Sequence, residues 1–123
     1  MKKRPINLNF FTLYFPITAW VSIAHRLSGI LVFLCIPILL WMLQESLVSK
    51  ERYQALMHLF QGRLAMFFLW GLLAALFYHL IAGIRHLLSD LHVSGSKQGA
   101  KTGARLVIGI SVLLIAFIGY WLW

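Results

Sequence analysis

The sequence has 123 residues, of which 61% are apolar and 11% charged, and it carries a net charge of +8 with a mean hydropathy of +0.84. A soluble domain is about half apolar and about a quarter charged, so this composition excludes an ordinary soluble enzyme and indicates an integral membrane protein. A basic protein that binds nucleic acid gathers its cations on one surface, whereas here they flank apolar runs, and we therefore expect no nucleic-acid partner.

Three uncharged apolar runs predict three transmembrane helices. The runs cover residues 27–44, 64–84 and 106–123 and are 18, 21 and 18 residues long. About 20 helical residues cross a hydrocarbon core of ~30 Å. With their flanking residues, we expect spans over about 17–46, 63–91 and 102–123, in one all-α transmembrane domain that takes up residues 1–123. The connections between the spans are too short to fold alone.

The first helix is expected to begin after Pro16, because proline fits the first turn of a helix, where no N–H donor is needed. Residues 5–16 lack charge and are rich in Phe and Tyr, so they are expected to lie along the membrane interface. Pro37 falls within the helix and should bend it. Cys35 is the one cysteine of the sequence, which excludes a disulfide within the chain and the Cys-x-x-Cys-His attachment of a c-type haem.

A polar cluster lies at the start of this helix. Ser22, His25, Arg26 and Gly29 follow the i, i+3, i+4, i+7 spacing and are therefore expected to share one helix face. The simpler interpretation is an interfacial anchor, in which Arg26 reaches lipid phosphates and Gly29 packs against a neighbour. The alternative is a binding site, because a hydroxyl one turn from a guanidinium offers hydrogen bonds to a carbonyl-bearing ligand.

A second polar cluster closes the second helix. His79, Gly83, His86 and Asp90 fall within about 60° of one another around the helix axis, and Arg85 lies on another side. His79 lies about 9 Å deeper along the axis than Arg85, which places it within the apolar layer. A neutral imidazole at that depth needs a partner for its ring nitrogens.

Two kinds of partner are compatible with the spacing in this second cluster. A haem iron is one, since axial histidine ligation is a standard b-type arrangement. Gly83 would then leave room for the flat ring, and Arg85 and His86 would lie at the polar edge where propionates emerge. A hydrogen bond to another helix is the other, with Gly83 as a close-packing position. The spacing alone leaves both open.

The remaining part of the chain predicts one more helix. A polar, glycine-bearing turn is expected over residues 94–101, and the third helix is expected to begin near Thr102. Trp70 lies inside the second span and is expected to pack against a neighbouring helix.

The distribution of charge predicts how the helices are oriented. Lys2, Lys3, Arg4 and Arg26 contribute +4, whereas the charges between the first two spans sum to +1 and those between the last two to +3. Three spans put the N-terminus and the second connection on one side, and the excess of Lys and Arg predicts that this side is cytoplasmic. Both polar clusters then lie at one membrane level, as a haem beside a quinone-type pocket would require.

These residues resemble the cytochrome b membrane-anchor subunit of succinate dehydrogenase. The resemblance covers nearly the whole chain: Arg-Pro-Ile-Asn-Leu at 4–8, Phe-Pro-Ile-Thr-Ala at 15–19, Ser-Ile-Ala-His-Arg-Leu-Ser-Gly at 22–29, and the cluster at 79–90. It implies one half of a haem-binding heteromeric helix bundle. It also implies a membrane-anchor and electron-transfer role in a succinate–quinone oxidoreductase, without the dicarboxylate active site.

The resemblance further implies a role for each matching residue. His79 corresponds to the axial ligand of haem b, and a second membrane subunit would supply the other ligand. Ser22 and Arg26 correspond to the quinone-site hydroxyl and guanidinium. His25, Arg26 and His86 correspond to the region of the haem propionates. Arg85 and Asp90 belong to the motif without an assigned role.

The implied setting is the bacterial inner membrane, in a complex with three other subunits. These are a second small haem-binding membrane subunit, an iron–sulfur subunit and a flavoprotein subunit, and the electron acceptor would be ubiquinone or menaquinone. Two other functions are compatible with three such spans: an anchor of the same assembly without haem, and a transporter subunit in which His79 relays protons. The outer halves of the three spans are almost wholly apolar, which disfavours the proton path.

Overall fold

The computed structural model describes residues 15–91 and 96–123, and these residues form four α-helices without any strand. The helices are α1 (Ile17–Val48), α2 (Lys50–Leu59), α3 (Arg63–Asp90) and α4 (Lys97–Leu122). By length and composition α1, α3 and α4 are each able to cross a membrane, which confirms the prediction of an all-α membrane protein with three spans. The cations at positions 2–4 and most of the expected interfacial segment, residues 5–14, lie outside the described residues.

Helix α1 begins as the proline rule predicts. The carbonyl oxygen of Pro16 accepts hydrogen bonds from the N–H groups of Ala19 and Trp20, at 2.9 and 3.3 Å, and Pro16 itself has extended backbone. The helix is uninterrupted over its 32 residues, and Pro37 lies within it. At 1.5 Å per residue this is about 48 Å, so α1 reaches beyond the hydrocarbon layer at one or both ends.

Helix α2 is a structural element that the sequence patterns did not predict. It is a short helix of ten residues with many polar side chains, so it does not belong to any uncharged apolar run. The Ser49 hydroxyl accepts a hydrogen bond from the Arg52 N–H at 3.2 Å and caps the helix, and Glu51 lies in the first turn, where the helix dipole favours a negative charge. The ion pair of Arg52 with Glu45, at 2.9 Å, ties α2 to the end of α1.

Helix α4 begins five residues earlier than expected, so the prediction of a turn is wrong for residues 97–101. The reason is the cap: the Ser96 hydroxyl accepts a hydrogen bond from the Gly99 N–H at 3.0 Å, and such a cap is worth about 1 kcal/mol. That contribution offsets the low helix propensity of Gly99. Residues 94 and 95 of the expected turn lie outside the described residues.

Helix α3 packs between α1 and α4 and contacts both. The closest packing involves small side chains, with Val21 of α1, Ala82 of α3 and Ala104 and Val107 of α4 buried together, because small residues let helix backbones approach one another in a membrane. The Tyr78 hydroxyl donates a hydrogen bond to the Val21 carbonyl oxygen at 3.1 Å. Most other apolar side chains are exposed and are therefore available to lipid or to partner subunits.

Nearer the other end of the bundle, the indole of Trp70 joins α3 to α4. Its N–H donates to the Ile115 carbonyl oxygen at 3.1 Å, and a Cβ at Gly119 would lie only 3.1 Å from the indole nitrogen. The prediction that Trp70 packs against a neighbouring helix is confirmed. Phe67 and Trp123 surround the same indole, with ring centroids 6.5 and 6.2 Å from it.

Replacing Ala82 with leucine is expected to destabilise the bundle, because Ala82 is fully buried where three helices meet. Overpacking of this kind costs about 1–3 kcal/mol. The thermal midpoint of the protein in detergent should fall. Ala116→Leu is the matched control, because Ala116 is an exposed alanine of α4, and its midpoint should not change. Equal midpoints for the two variants would contradict this packing.

Candidate functional site

Three histidines from two helices converge near the end of the bundle where α1 begins and α3 ends. The ring of His25, from α1, stacks on the ring of His79, from α3, with centroids 4.3 Å apart and planes inclined by 9°. The ring of His86, two turns further along α3, lies 5.0 Å from that of His25. All three side chains are partly buried. The structure therefore brings together the three histidines that the two sequence clusters predicted to lie at one level.

The hydrogen bonds at His79 show which of its ring nitrogens carries a proton. Its Nδ1 lies 3.1 Å from the carbonyl oxygen of His25 and 3.3 Å from the hydroxyl of Ser28. The Ser28 hydroxyl donates its own hydrogen to the same carbonyl, at 2.8 Å. Because a carbonyl oxygen only accepts, Nδ1 must carry a proton and donate it, which leaves Nε2 as the ring nitrogen available to a ligand.

Two glycines make room for these rings. A Cβ at Gly29 would lie 2.8 Å from Cε1 of His79, which is closer than real side chains approach. A Cβ at Gly83 would lie 3.3 Å from Nε2 of His25. Gly29 therefore lets His79 press its Nδ1 edge against α1, and Gly83 lets His25 lie against α3.

The histidines line an open cavity of about 360 Å³ on the side of the α1–α3 pair. Its other walls are apolar or lack a side chain, and come from Leu80, Gly83, Ile84 and Leu87. Because the cavity is open, a flat ligand seated in it would keep one side uncovered by these residues. A second protein chain would be needed to enclose it.

The donor set of this cavity fits a b-type haem. His79 presents an imidazole whose Nδ1 donates to a carbonyl oxygen, and this hydrogen bond is the usual companion of metal ligation through the opposite nitrogen. Within residues 15–91 and 96–123, no three or more His, Cys, Asp or Glu side chains gather as a metal cage. A haem iron, which is held mainly by its own macrocycle, would need only one axial nitrogen from this chain.

The predicted quinone-site residues are not part of the histidine cluster. At 100° per residue, Ser22 lies about 60° and Arg26 about 100° around α1 from His25. Ser22 is partly buried and Arg26 is exposed. Of the four residues expected to share a face, His25 and Gly29 contact α3, whereas Ser22 and Arg26 lie further around α1 from His25.

Arg85, to which the resemblance assigns no role and which the spacing placed beside His86 at the edge of a haem, joins α3 to α4. Its guanidinium donates to the Ala100 carbonyl oxygen at 3.2 Å and lies over Gly103, where a Cβ would be 3.4 Å from Nε. Asp90 is exposed at the last position of α3. Neither residue contacts the histidines among the described hydrogen bonds and ring pairs.

Ser28 is a residue that the sequence reasoning did not single out. It lies three residues after His25 and one helical turn along the same side of α1, which is the side that faces α3. This spacing from His25 is the feature of the sequence that points to Ser28. It is a weak signal, because a serine within an apolar run more often bonds its own backbone, and here the hydroxyl does so as well as approaching His79.

Comparison with known proteins identifies the family of this chain. Residues 1–118 match the family model described as succinate dehydrogenase/fumarate reductase transmembrane subunit. A relative from Coxiella burnetii, named succinate dehydrogenase cytochrome b556 subunit, is 38% identical over 98% of each chain. Relatives of the same name from Rickettsia conorii and Paracoccus denitrificans are 36% and 28% identical, covering 91% and 90% of this chain and 87% and 85% of theirs. The chain therefore belongs to the family of succinate dehydrogenase/fumarate reductase transmembrane subunits.

Proposed function

We infer that this chain is the membrane-anchor and electron-transfer subunit of a succinate–quinone oxidoreductase in a bacterial inner membrane. The observation that carries the inference is the state of His79. Its Nδ1 proton is engaged by the His25 carbonyl, and Nε2 has no hydrogen-bond partner among the described residues. An imidazole that is bonded through Nδ1 and has Nε2 unengaged, beside an open cavity in an apolar helix pair, is suited to bind iron.

The proposed cofactor is haem b, held between this chain and a second small membrane subunit. His79 would provide one axial nitrogen, and the second subunit would provide the other and close the cavity. When bound, haem supplies a one-electron redox centre whose potential depends on its axial ligands and its surroundings. His25 and His86, which both line the cavity with their ring centroids 5.0 Å apart, would donate hydrogen bonds to the propionates, with Arg26 nearby on α1.

The proposed substrate is a quinone, ubiquinone or menaquinone, at the border of α1. Ser22 would donate a hydrogen bond to one quinone carbonyl. Arg26 lies one turn away and would oppose the negative charge that develops as the quinone is reduced, where little water is present to screen it. Because Arg26 is exposed and Ser22 is only partly buried, partner chains would complete this site. An iron–sulfur subunit would deliver electrons from a flavoprotein subunit.

The proposed orientation places the N-terminus in the cytoplasm and the C-terminus outside. It is supported by the cations at one end of the bundle, where Arg26 and Arg85 lie near the ends of α1 and α3, and Lys97, Lys101 and Arg105 open α4. The other end, with Glu45, Glu51 and Arg52, carries little net charge. The asymmetry is the one expected of a cytoplasmic face.

Purification of the intact complex in mild detergent tests this function. Subunit identification should find four chains, and a reduced-minus-oxidised spectrum should show a b-type haem. A complex of the same composition without haem absorbance would support the alternative function, an anchor that binds no cofactor, and would overturn the haem proposal.

Gly29→Ala is expected to disturb this haem site with a single added methyl group. The new Cβ would lie 2.8 Å from Cε1 of His79, so the imidazole has to move away from α1 and lose its bond to the His25 carbonyl. Haem content of the purified complex should fall or its b-type spectrum should change. Gly109→Ala is the control, because nothing lies within 4 Å of a Cβ at Gly109. Unaltered spectra in both variants would contradict the placement of His79.

A further inference from the structure

We propose that the seam between α3 and α4 binds one phospholipid with an anionic headgroup, at the end of the bundle where α3 ends and α4 begins. An open groove of about 260 Å³ follows the seam there. Its walls are apolar and come from both helices. The main wall residues are Ile81, Leu88, Leu106 and Ile110. Arg85 and Gly103 also line the groove.

The groove is confined to one half of the seam. At 100° per residue, Trp70 and Phe67 lie on the same side of α3 as Leu88 and Arg85. In the half near Trp70, the chain fills the seam with its own aromatic rings, since Trp70 bonds to α4 and is surrounded by Phe67 and Trp123. A transmembrane helix of a partner chain would lie along the whole seam, whereas the open part is short.

The length of the open part fits the tail of a lipid from one leaflet. From Ile81 to Ser89 on α3, and from Gly103 to Ile110 on α4, the groove extends about 10–12 Å along the helices. Half of a hydrocarbon core is about 15 Å thick. An acyl chain that enters from the headgroup level would therefore lie in the groove for most of its leaflet.

Charge at the mouth of the groove selects the headgroup. The guanidinium of Arg85 lies at the end nearest the helix termini, because it bonds to Ala100 in the first turn of α4, and the side chain is partly buried. One of its N–H groups donates to the Ala100 carbonyl oxygen, and Gly103 lets the guanidinium lie against α4. Among residues 15–91 and 96–123, no acid lines the groove, and Asp90 lies about 140° around α3 from Arg85. The remaining N–H donors of a fixed, uncompensated guanidinium suit a phosphate.

Native mass spectrometry of the detergent-purified complex, supplied with equal amounts of phosphatidylglycerol and phosphatidylcholine, tests the proposal. The wild type should retain phosphatidylglycerol in preference to phosphatidylcholine. Leu106→Trp should fill the groove and reduce the retained lipid several-fold. Val112→Trp is the matched control: Val112 is 60% exposed and Leu106 58%, but Val112 lies on another side of α4, so lipid should be retained in full.

A second pair of variants tests the headgroup. Arg85→Gln should abolish the preference for phosphatidylglycerol, whereas Arg105→Gln, an exposed cation outside the groove, should leave it unchanged. If the Leu106→Trp complex fails to assemble, the lipid preference of the Arg85→Gln complex alone tests the proposal. The proposal is overturned if the wild type retains neither lipid or retains both equally, if Arg85→Gln keeps the preference, or if a partner helix cross-links along the groove. Haem absorbance of the same samples reports on the proposed function independently.

Discussion

His79→Ala is expected to remove the haem from the complex. The imidazole is held by a hydrogen bond from Nδ1 to the His25 carbonyl and lies against Gly29. A haem that lost this ligand would need another side chain to bind its iron. His25 is the nearest candidate, but its ring is stacked face to face on that of His79 and points its Nε2 toward Gly83. The reduced-minus-oxidised spectrum of the purified variant should lack the b-type bands.

Two comparisons distinguish loss of a ligand from loss of the fold. Added imidazole should restore a b-type spectrum in the His79→Ala complex, because the substitution leaves a hole of the matching shape. His58→Ala removes a histidine from α2, outside the three spans, and should leave the haem unchanged. Full haem content in His79→Ala, without added imidazole, would show that the iron is held by other residues.

Arg26→Leu is expected to abolish most of the quinone reductase activity while the complex still assembles. The guanidinium is exposed on α1 and is not part of the contact with α3, so its loss should cost little stability. Removal of one preorganised donor from a site of developing negative charge lowers the rate by about 100-fold or more. Succinate-dependent reduction of a short-chain quinone should fall by this order.

The acceptor used in the assay separates the quinone site from the rest of the complex. Reduction of a water-soluble artificial acceptor, which takes electrons before they reach the membrane, should be preserved in Arg26→Leu. Arg26→Lys should retain part of the quinone activity, because it keeps the charge and loses the planar donor geometry. Arg63→Leu removes an exposed cation from the start of α3, at the other end of the bundle from Arg26, and should leave quinone reduction unchanged. Equal quinone reduction in Arg26→Leu and wild type would disprove the proposed role.

The three spans were predictable from the sequence because lipid imposes one rule on every residue of a span. An uncharged run of about 20 residues has almost no other structure available to it. Helix α2 was not predictable in this way, because a polar helix of ten residues depends on a cap at Ser49 and on an ion pair with Glu45. The start of α4 likewise depends on one hydroxyl, that of Ser96.

The histidine cluster was predictable in part, since ionisable residues are rare within spans and mark functional sites. Helix spacing placed His79 and His86 on one face, and charge placed His25 at the same level. Spacing did not reveal that the acceptor for His79 is a backbone carbonyl, nor that Ser28 shares it. Such contacts depend on how two helices are rotated against each other, and no pattern within one helix contains that rotation.

The roles of Arg85 and Gly103 show the same limit. Arg85 belongs to the second polar cluster by sequence, yet it faces α4 rather than the histidines. Helix spacing correctly placed it on another side of α3 from His79. What it contacts there depends on α4, whose first turn was expected to be a loop. An error of five residues in one helix start was therefore enough to hide this contact.

Pulsed electron paramagnetic resonance tests most directly whether His79 binds iron. The oxidised His79→Ala complex is reconstituted with haem and with ¹⁵N-labelled imidazole, and the hyperfine couplings of the ferric haem are measured. A ¹⁵N coupling at the iron is predicted, in place of the ¹⁴N coupling of one histidine in the wild type. A ferric haem with unchanged ¹⁴N couplings and no ¹⁵N signal would contradict the account.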